Sequence, residues 1–255
     1  MREHKWYLIP VYYLLITSEL AREGILHSGS YYFADHIYRN KPHGRFIIGY
    51  LLDAILLRFP SAQSLRFRYL SVKKELLGSI AQLKNTSNHL SILAIPSGLG
   101  RELFEVAEEV DADLLNQVNL FGLDGDADLI DHLKNRCAQN SIPITFYCGD
   151  GLDRSSYQNK HDIIFSTGFT EFLDDTQVII FFKIVFDFLS PNGKFITSSL
   201  MPHPFSDYLL RNIAELHTQY RSGDKLIELL KSSGFVNITT CKDSTGLQTV
   251  AVAKK

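Results

Sequence analysis

The stretch LSILAIPSGLGRELFEVAEEV, residues 90–110, decides how the rest of the chain is read. An apolar run at residues 92–95 leads into Pro96, Ser97, Gly98, Leu99 and Gly100, and a helical pattern starts at Arg101. Apolar strand, glycine-bearing turn and helix, in that order, form a turn suited to holding a nucleotide. Glycines let the backbone approach a ligand closely, and the helix N-terminus presents unpaired N–H groups. Two residues depart from the easiest version: Pro96 stands where a glycine would relax the turn, and no acid ends the apolar run. Alone, the stretch fits a cofactor turn or an ordinary connection equally well.

Working outward, the pattern after residue 88 alternates strands with helices. Strand candidates lie at 91–95, 118–123, 144–148, 162–166, 193–198, 238–240 and 249–253, with helices at 101–110, 126–139, 176–189, 204–220 and 224–233. Such alternation predicts an α/β fold with a doubly wound, mostly parallel sheet covered on both faces. Residues 1–87 read differently, as a helical N-terminal region. An apolar run at 6–16, interrupted by Pro10, predicts a buried amphipathic helix. A second helix is expected at 46–59, and a third at 61–84 behind a Ser61 cap. The segment HSGSYYFADHIYRNKPHGR, residues 27–45, reads as a Gly- and aromatic-rich loop. The expected division is a helical substrate-covering cap at 1–87 and a cofactor-binding core at 88–255.

Composition bounds the partners. In 255 residues, 45% are hydrophobic and 21% charged, which describes a globular chain with a sizeable core. A net charge of −2 carries no excess of basic residues, so nucleic acid is not expected as a partner. The apolar run at 6–16 is too short to span a bilayer and no small-residue cleavage site follows it. Cys137, Cys148 and Cys241 lack metal-ligand spacing, so no metal is expected, and an odd, sparse set suits a reducing compartment. The expected location is the cytoplasm.

In a doubly wound sheet, ligands bind beyond the carboxyl ends of the strands. That rule selects four short stretches: the turn with Ser97, Gly98 and Gly100; LDGDAD with Asp124 and Gly125; Gly149-Asp150-Gly151; and STGF with Ser166 and Thr167. An acid some twenty residues after the glycines suits ribose hydroxyls. Each element has a plain alternative: Asp126 is more simply a helix cap, and Asp150 a turn residue. Their joint order and spacing carry the weight.

In that order the motifs resemble those of class I S-adenosylmethionine (SAM)-dependent methyltransferases over residues 89–255, about two thirds of the chain. ILAIPSGLG is similar to the family's first motif, FGLDGD to the second, YCGDG to the third, HDIIFSTGFTEFLDD to the fourth-strand motif, FLSPNGKFI to the turn and strand after it, and QTVAVAKK to the last strand. The resemblance implies a Rossmann-like seven-stranded sheet whose last strand is antiparallel and inserted between the fifth and sixth. It implies SAM as cofactor, Asp124 at the ribose and Asp150 near the adenine amino group. It also exposes a departure: the family usually has an acid where Ala94 stands, so another group must hold the cofactor's amino-acid end. Glu102, early in the next helix, is a candidate, although glutamate there is favourable without a ligand.

The reading is therefore a methyltransferase acting on an oxygen or nitrogen atom of a small molecule; a homodimer stays open. Catalytic candidates are Tyr31 and Tyr38, from the aromatic segment, and His203, a potential general base between two prolines. Tyrosines packing the cap, and a solvated loop histidine, are the plain alternatives. Arg66 and Arg68 could bind a carboxylate, with solvent exposure the default. Two other functions stay open: an enzyme that cyclises or transfers SAM's aminocarboxypropyl chain, and a non-catalytic partner protein of the same fold.

Overall fold

A computed structural model describes residues 9–27, 30–85 and 89–255. The start of the apolar run at 6–16 and the expected division at 87/88 lie outside the described residues.

The strands form where apolar, β-branched and aromatic runs stop at turn residues. They are β1 (Leu90–Ala94), β2 (Val118–Asp124), β3 (Ile144–Cys148), β4 (His161–Ser166), β5 (Leu189–Leu200), β6 (Val236–Lys242) and β7 (Gln248–Lys254). They make one sheet in the order β3-β2-β1-β4-β5-β7-β6. Neighbours from β3 through β5 are parallel, while β7 runs antiparallel to both β5 and β6. The expected α/β topology, with the last strand inserted, is the observed one.

Helices cover both faces. On one, α5 (Pro60–Ala81), α6 (Arg101–Glu109) and α8 (Ala127–Asn140) bury Val72, Leu76, Leu103 and Ile130, with α5 over β7, α6 over β2 and α8 over β3. On the other, α9 (Asp175–Phe188) and α11 (Gly223–Ser232) pack Phe181, Phe182 and Leu230 onto β5 and β7. Ala94, the last residue of β1, is buried in the first of these layers. A carboxylate at that position would enter an apolar core, a costly place for an unpaired charge.

The N-terminal helices are α1 (Ile9–Leu15), α2 (Glu19–Leu26), α3 (Tyr31–Arg39) and α4 (Phe46–Leu56). Four local expectations are corrected here. The helix expected to be buried at the N-terminus, α1, buries only Leu15 and leaves Ile9, Val11, Tyr13 and Leu14 exposed. The aromatic segment is largely helix α3, because the Ser30 hydroxyl caps it at Tyr32 N–H and Asn40 closes it in the left-handed conformation. Ser61 does not cap α5: Phe59 holds that place and Pro60 opens the helix. The helix expected over 204–220 is α10 (Pro204–Asn212); Glu215, at φ 53°, takes the chain out of helical geometry, and Gln219 N–H then bonds Glu171 O over 2.7 Å. The short α7 (Ala112–Leu115) precedes β2.

Among the described residues no single helix is long and apolar enough to cross a membrane. The pair α4 and α5 reaches that composition only together and bends by 64°, with much of α5 in the core.

Candidate active site

The glycine turn stands at the carboxyl end of β1. Gly98 and Gly100 adopt φ values of 49° and 64°, left-handed conformations that glycine reaches without steric cost. At Gly100 a Cβ would also lie 2.9 Å from the Phe146 ring. Ser97 N–H bonds Leu123 O, and Gly98 N–H donates to Asp124 Oδ2, both over 2.8 Å. The other Asp124 oxygen accepts Asp126 N–H at 3.1 Å. Each carboxylate oxygen thus takes one backbone donor and keeps acceptor capacity for another. Asp126 caps α8 at Leu129 N–H over 3.0 Å and also accepts the Tyr31 hydroxyl at 3.2 Å.

The ends of β2 and β3 meet, since Asp124 pairs in register with Cys148 and Gly149 N–H donates to Asp124 O at 2.9 Å. This places Gly125, Gly149 and Asp150 together, with Asp150 exposed and accepting Leu152 N–H at 2.9 Å. A Cβ on Gly125 would meet only the Gly149 carbonyl, at 3.8 Å, so the backbone is open there. Gly151 is buried against Ile95 and Phe169. Ser166 is buried with its hydroxyl unpartnered, and Thr167 follows it into the site.

Between this strand edge and the N-terminal helices lies a cavity of about 370 Å³. Its floor includes Ser97, Gly98, Asp124 and Thr167; its roof includes Tyr31, Tyr38 and Arg68. The size falls within the range of about 300–1,000 Å³ common for small-molecule sites. His203 lies outside the lining, as N-cap of α10, its Nδ1 3.4 Å from Ser206 N.

Two residues of this cavity, Asp35 and Glu171, escaped the sequence reading, and a third, Arg68, lies deeper than expected there. Arg68 is buried at 4% exposure, where solvent exposure was the default for an arginine on a helix. It pairs with buried Glu171 at 3.3 Å and donates to the Tyr38 hydroxyl at 2.7 Å, while its Nε–H has no partner. Asp35, on α3, pairs with both Arg101 and Arg39. The pattern of Arg68 could have signalled it, because 68, 72 and 76 recur at helical spacing with buried Val72 and Leu76. Glu171 and Asp35 carried no such signal.

Electrostatically the cavity favours a cation. Asp35, Glu102, Asp124 and Glu171 give it four carboxylates against two guanidiniums, Arg68 and Arg101. Burial pushes the Glu102 carboxyl up, against the lowering effect of its own backbone N–H and of Arg68. Burial likewise raises the Tyr38 and Tyr31 hydroxyls, so both stay protonated near neutral pH and act as hydrogen-bond donors. A sulfonium, a ribose and a carboxylate-bearing tail fit this set: surplus negative charge, Asp124 with spare acceptor capacity, and the unpartnered Arg68 Nε–H.

Comparison with known proteins agrees. Residues 19–255 match a family model described as "Putative methyltransferase". The chain belongs to this methyltransferase family. It is accordingly a SAM-dependent transferase. Among solved structures, the methyltransferase is similar to a possible exported protein from Bordetella parapertussis, with 18% identity, 95% of this chain and 85% of that chain covered, and a TM-score of 0.77. It is similar to magnesium protoporphyrin IX methyltransferase from Synechocystis PCC 6803 with bound S-adenosylhomocysteine (SAH), at 11% identity, 92% and 98% coverage and a TM-score of 0.58. Human N-acetylserotonin methyltransferase in complex with SAM aligns at 15% identity, 92% and 69% coverage and a TM-score of 0.54. At these identities the likeness to the methyltransferase is one of fold. A comparison with curated proteins finds no match.

Proposed function

We propose that the methyltransferase transfers a methyl group to an oxygen or nitrogen nucleophile of a small molecule held in the 370 Å³ cavity. The observation that carries this reading is the enclosure of one cavity by the cofactor turn below and the helices α3 and α5 above. The N-terminal helices would then form the substrate cap and the sheet the cofactor core.

Bound SAM supplies an electrophilic methyl on a sulfonium, so the protein's task is mainly alignment and exclusion of water. Asp124 would accept the ribose hydroxyls with the acceptor capacity left on its two oxygens. Gly98, Gly100 and Gly125 would keep the backbone low beneath the nucleoside, with Gly149, Asp150 and Gly151 at its base edge and Ser97, Ser166 and Thr167 along its flank. The Arg68 guanidinium, with its free Nε–H, suits a carboxylate, and Glu171 beside it suits an ammonium. Glu102 is the proton acceptor this cavity supports best: it is buried, lines the site, and its raised pKa makes it a better base than an ordinary carboxylate. Tyr38 would donate a hydrogen bond to the acceptor. His203, away from the lining, has no part in this scheme.

A cytoplasmic location is part of the proposal, supported by the exposed free thiols of Cys148 and Cys241. The test is the product: incubation with SAM and a panel of small phenols, amines and carboxylates, followed by mass spectrometry. SAH together with a methylated acceptor is the expected outcome. Methylthioadenosine as the nucleoside product would instead show attack within the aminocarboxypropyl chain, and no turnover together with no SAM binding would leave a partner protein of this fold.

A further inference from the structure

Helix α4 is oriented inside out. Its one charged residue, Asp53, is fully buried, whereas Phe46, Ile47, Ile48, Tyr50, Leu51 and Ile55 are exposed, Phe46 at 84% and Ile47 at 79%. Specific bonds fix that orientation. The Asp53 carboxylate accepts the Ser18 hydroxyl, Leu20 N–H at 3.2 Å and His43 N–H at 2.9 Å, with His36 Nε2 at 3.5 Å. One turn earlier, Gly49 sits so close to the Thr17 carbonyl that a Cβ would lie 2.1 Å from its oxygen. The polar face of α4 is therefore bound inward and its apolar face is held out to solvent. Helix α1 packs against α4 and adds exposed Tyr13 and Leu14. An apolar surface of this extent is a site of contact rather than scatter.

Charge says what it contacts. Across residues 36–60 the exposed side chains include Arg39, Lys41, Arg45 and Arg58, and the only carboxylate is the buried Asp53. Cations thus flank the apolar face at both ends with no exposed acid among them. A second copy of the same face would bring these cations against one another. An anionic bilayer complements both features: apolar side chains enter the headgroup boundary while lysine and arginine stay at the charged surface.

We propose that the α4 face, extended by α1, docks the protein on anionic phospholipid membranes as a peripheral, non-spanning contact. This goes beyond the methyl-transfer reading and stands or falls separately from it. The experiment is co-sedimentation of the full chain with vesicles of equal phosphatidylcholine and phosphatidylglycerol, compared with pure phosphatidylcholine, at low salt and at about 0.5 M salt. Binding to the anionic vesicles, weakened by salt and by about tenfold in the double variant Ile47→Glu/Leu51→Glu, is expected. The variant Arg45→Gln/Arg58→Gln should lose affinity for anionic vesicles and keep what little it has for neutral ones. Circular dichroism and SAH calorimetry on each variant verify the fold, since these positions are exposed and far from the glycine turn in sequence. Absence of sedimentation by the wild type, or equal sedimentation of wild type and Ile47→Glu/Leu51→Glu, would overturn the proposal. So would a solution dimer that this variant splits into monomers, which would assign the face to a second copy. Vesicle binding without SAH binding would sustain this inference and sink the methyl-transfer reading alone.

Discussion

The backbone N–H of Gly98 donates to Asp124 Oδ2 over 2.8 Å, tying the turn after β1 to the end of β2 before any ligand arrives. Asp124 therefore has two tasks, holding the turn and offering acceptors to the cofactor. Asp124→Ala should weaken SAM binding at least tenfold, about 1.4 kcal/mol, by calorimetry. Asp150→Ala, at the neighbouring strand end, should do the same while leaving the turn intact. Wild-type affinity in both variants would remove the cofactor from this edge.

The Arg68–Glu171 pair is buried on both sides, at 4% and 6% exposure. Arg68→Leu leaves a buried carboxylate without its partner and should cost about 3 kcal/mol in urea unfolding. Arg68→Leu/Glu171→Leu should recover much of that loss, because neither charge is then left alone. If the double variant is less stable than the single, the pair is not a coupled unit.

Glu102 sets the expected pH profile. Burial raises its carboxyl above the ordinary glutamate value of about 4.3, and the deprotonated form is the base. Activity should be present above that raised pKa and fall as pH drops through it, at a higher pH than an exposed glutamate would give. Glu102→Gln should lower kcat and abolish that limb of the kcat/KM profile. A limb unchanged in the variant would assign it to another group.

At the opposite end of β4, burial pushes the His161 imidazole down to about 4, although Asp162 opposes the shift. Its Nδ1 lies 2.8 Å from the Ser91 hydroxyl. The unfolded chain takes up the proton near pH 6.5 and the folded one only near 4. Stability should therefore be full above about 6.5 and decline by roughly 3 kcal/mol as pH falls to about 4. Thermal unfolding across that window, compared with His161→Asn, measures the slope; an identical slope in the variant would exclude His161 as its source.

The strand-and-helix order was legible because β2, β3 and β4 are short, largely apolar runs ended by aspartate, glycine or serine, a signal local in sequence. The ends of β1 through β4 could be found the same way, so the joint position of Gly98, Asp124 and Gly149 was readable. The cap was not. Whether Tyr31 and Tyr38 lie on a loop or on α3 depends on Ser30 and Asn40 as caps, features outweighed in the sequence by glycines and polar residues. Helical spacing with Val72 and Leu76 could have turned Arg68 inward, but its partner Glu171 lies 103 residues later, and no local pattern reports a partner so distant. His203 looked catalytic because imidazole chemistry suits the reaction, yet its ring nitrogen faces Ser206 at the start of its own helix.

The placement of β7 has a consequence for folding order. β6 precedes β7 in the chain but joins the sheet only through it. β6 therefore has no edge to pair with until β7 has formed, and it joins the sheet together with β7 or after it. Loss of β7 pairing would detach β6 and also bare the edge of β5, so protection from hydrogen exchange in all three strands should collapse as one cooperative unit.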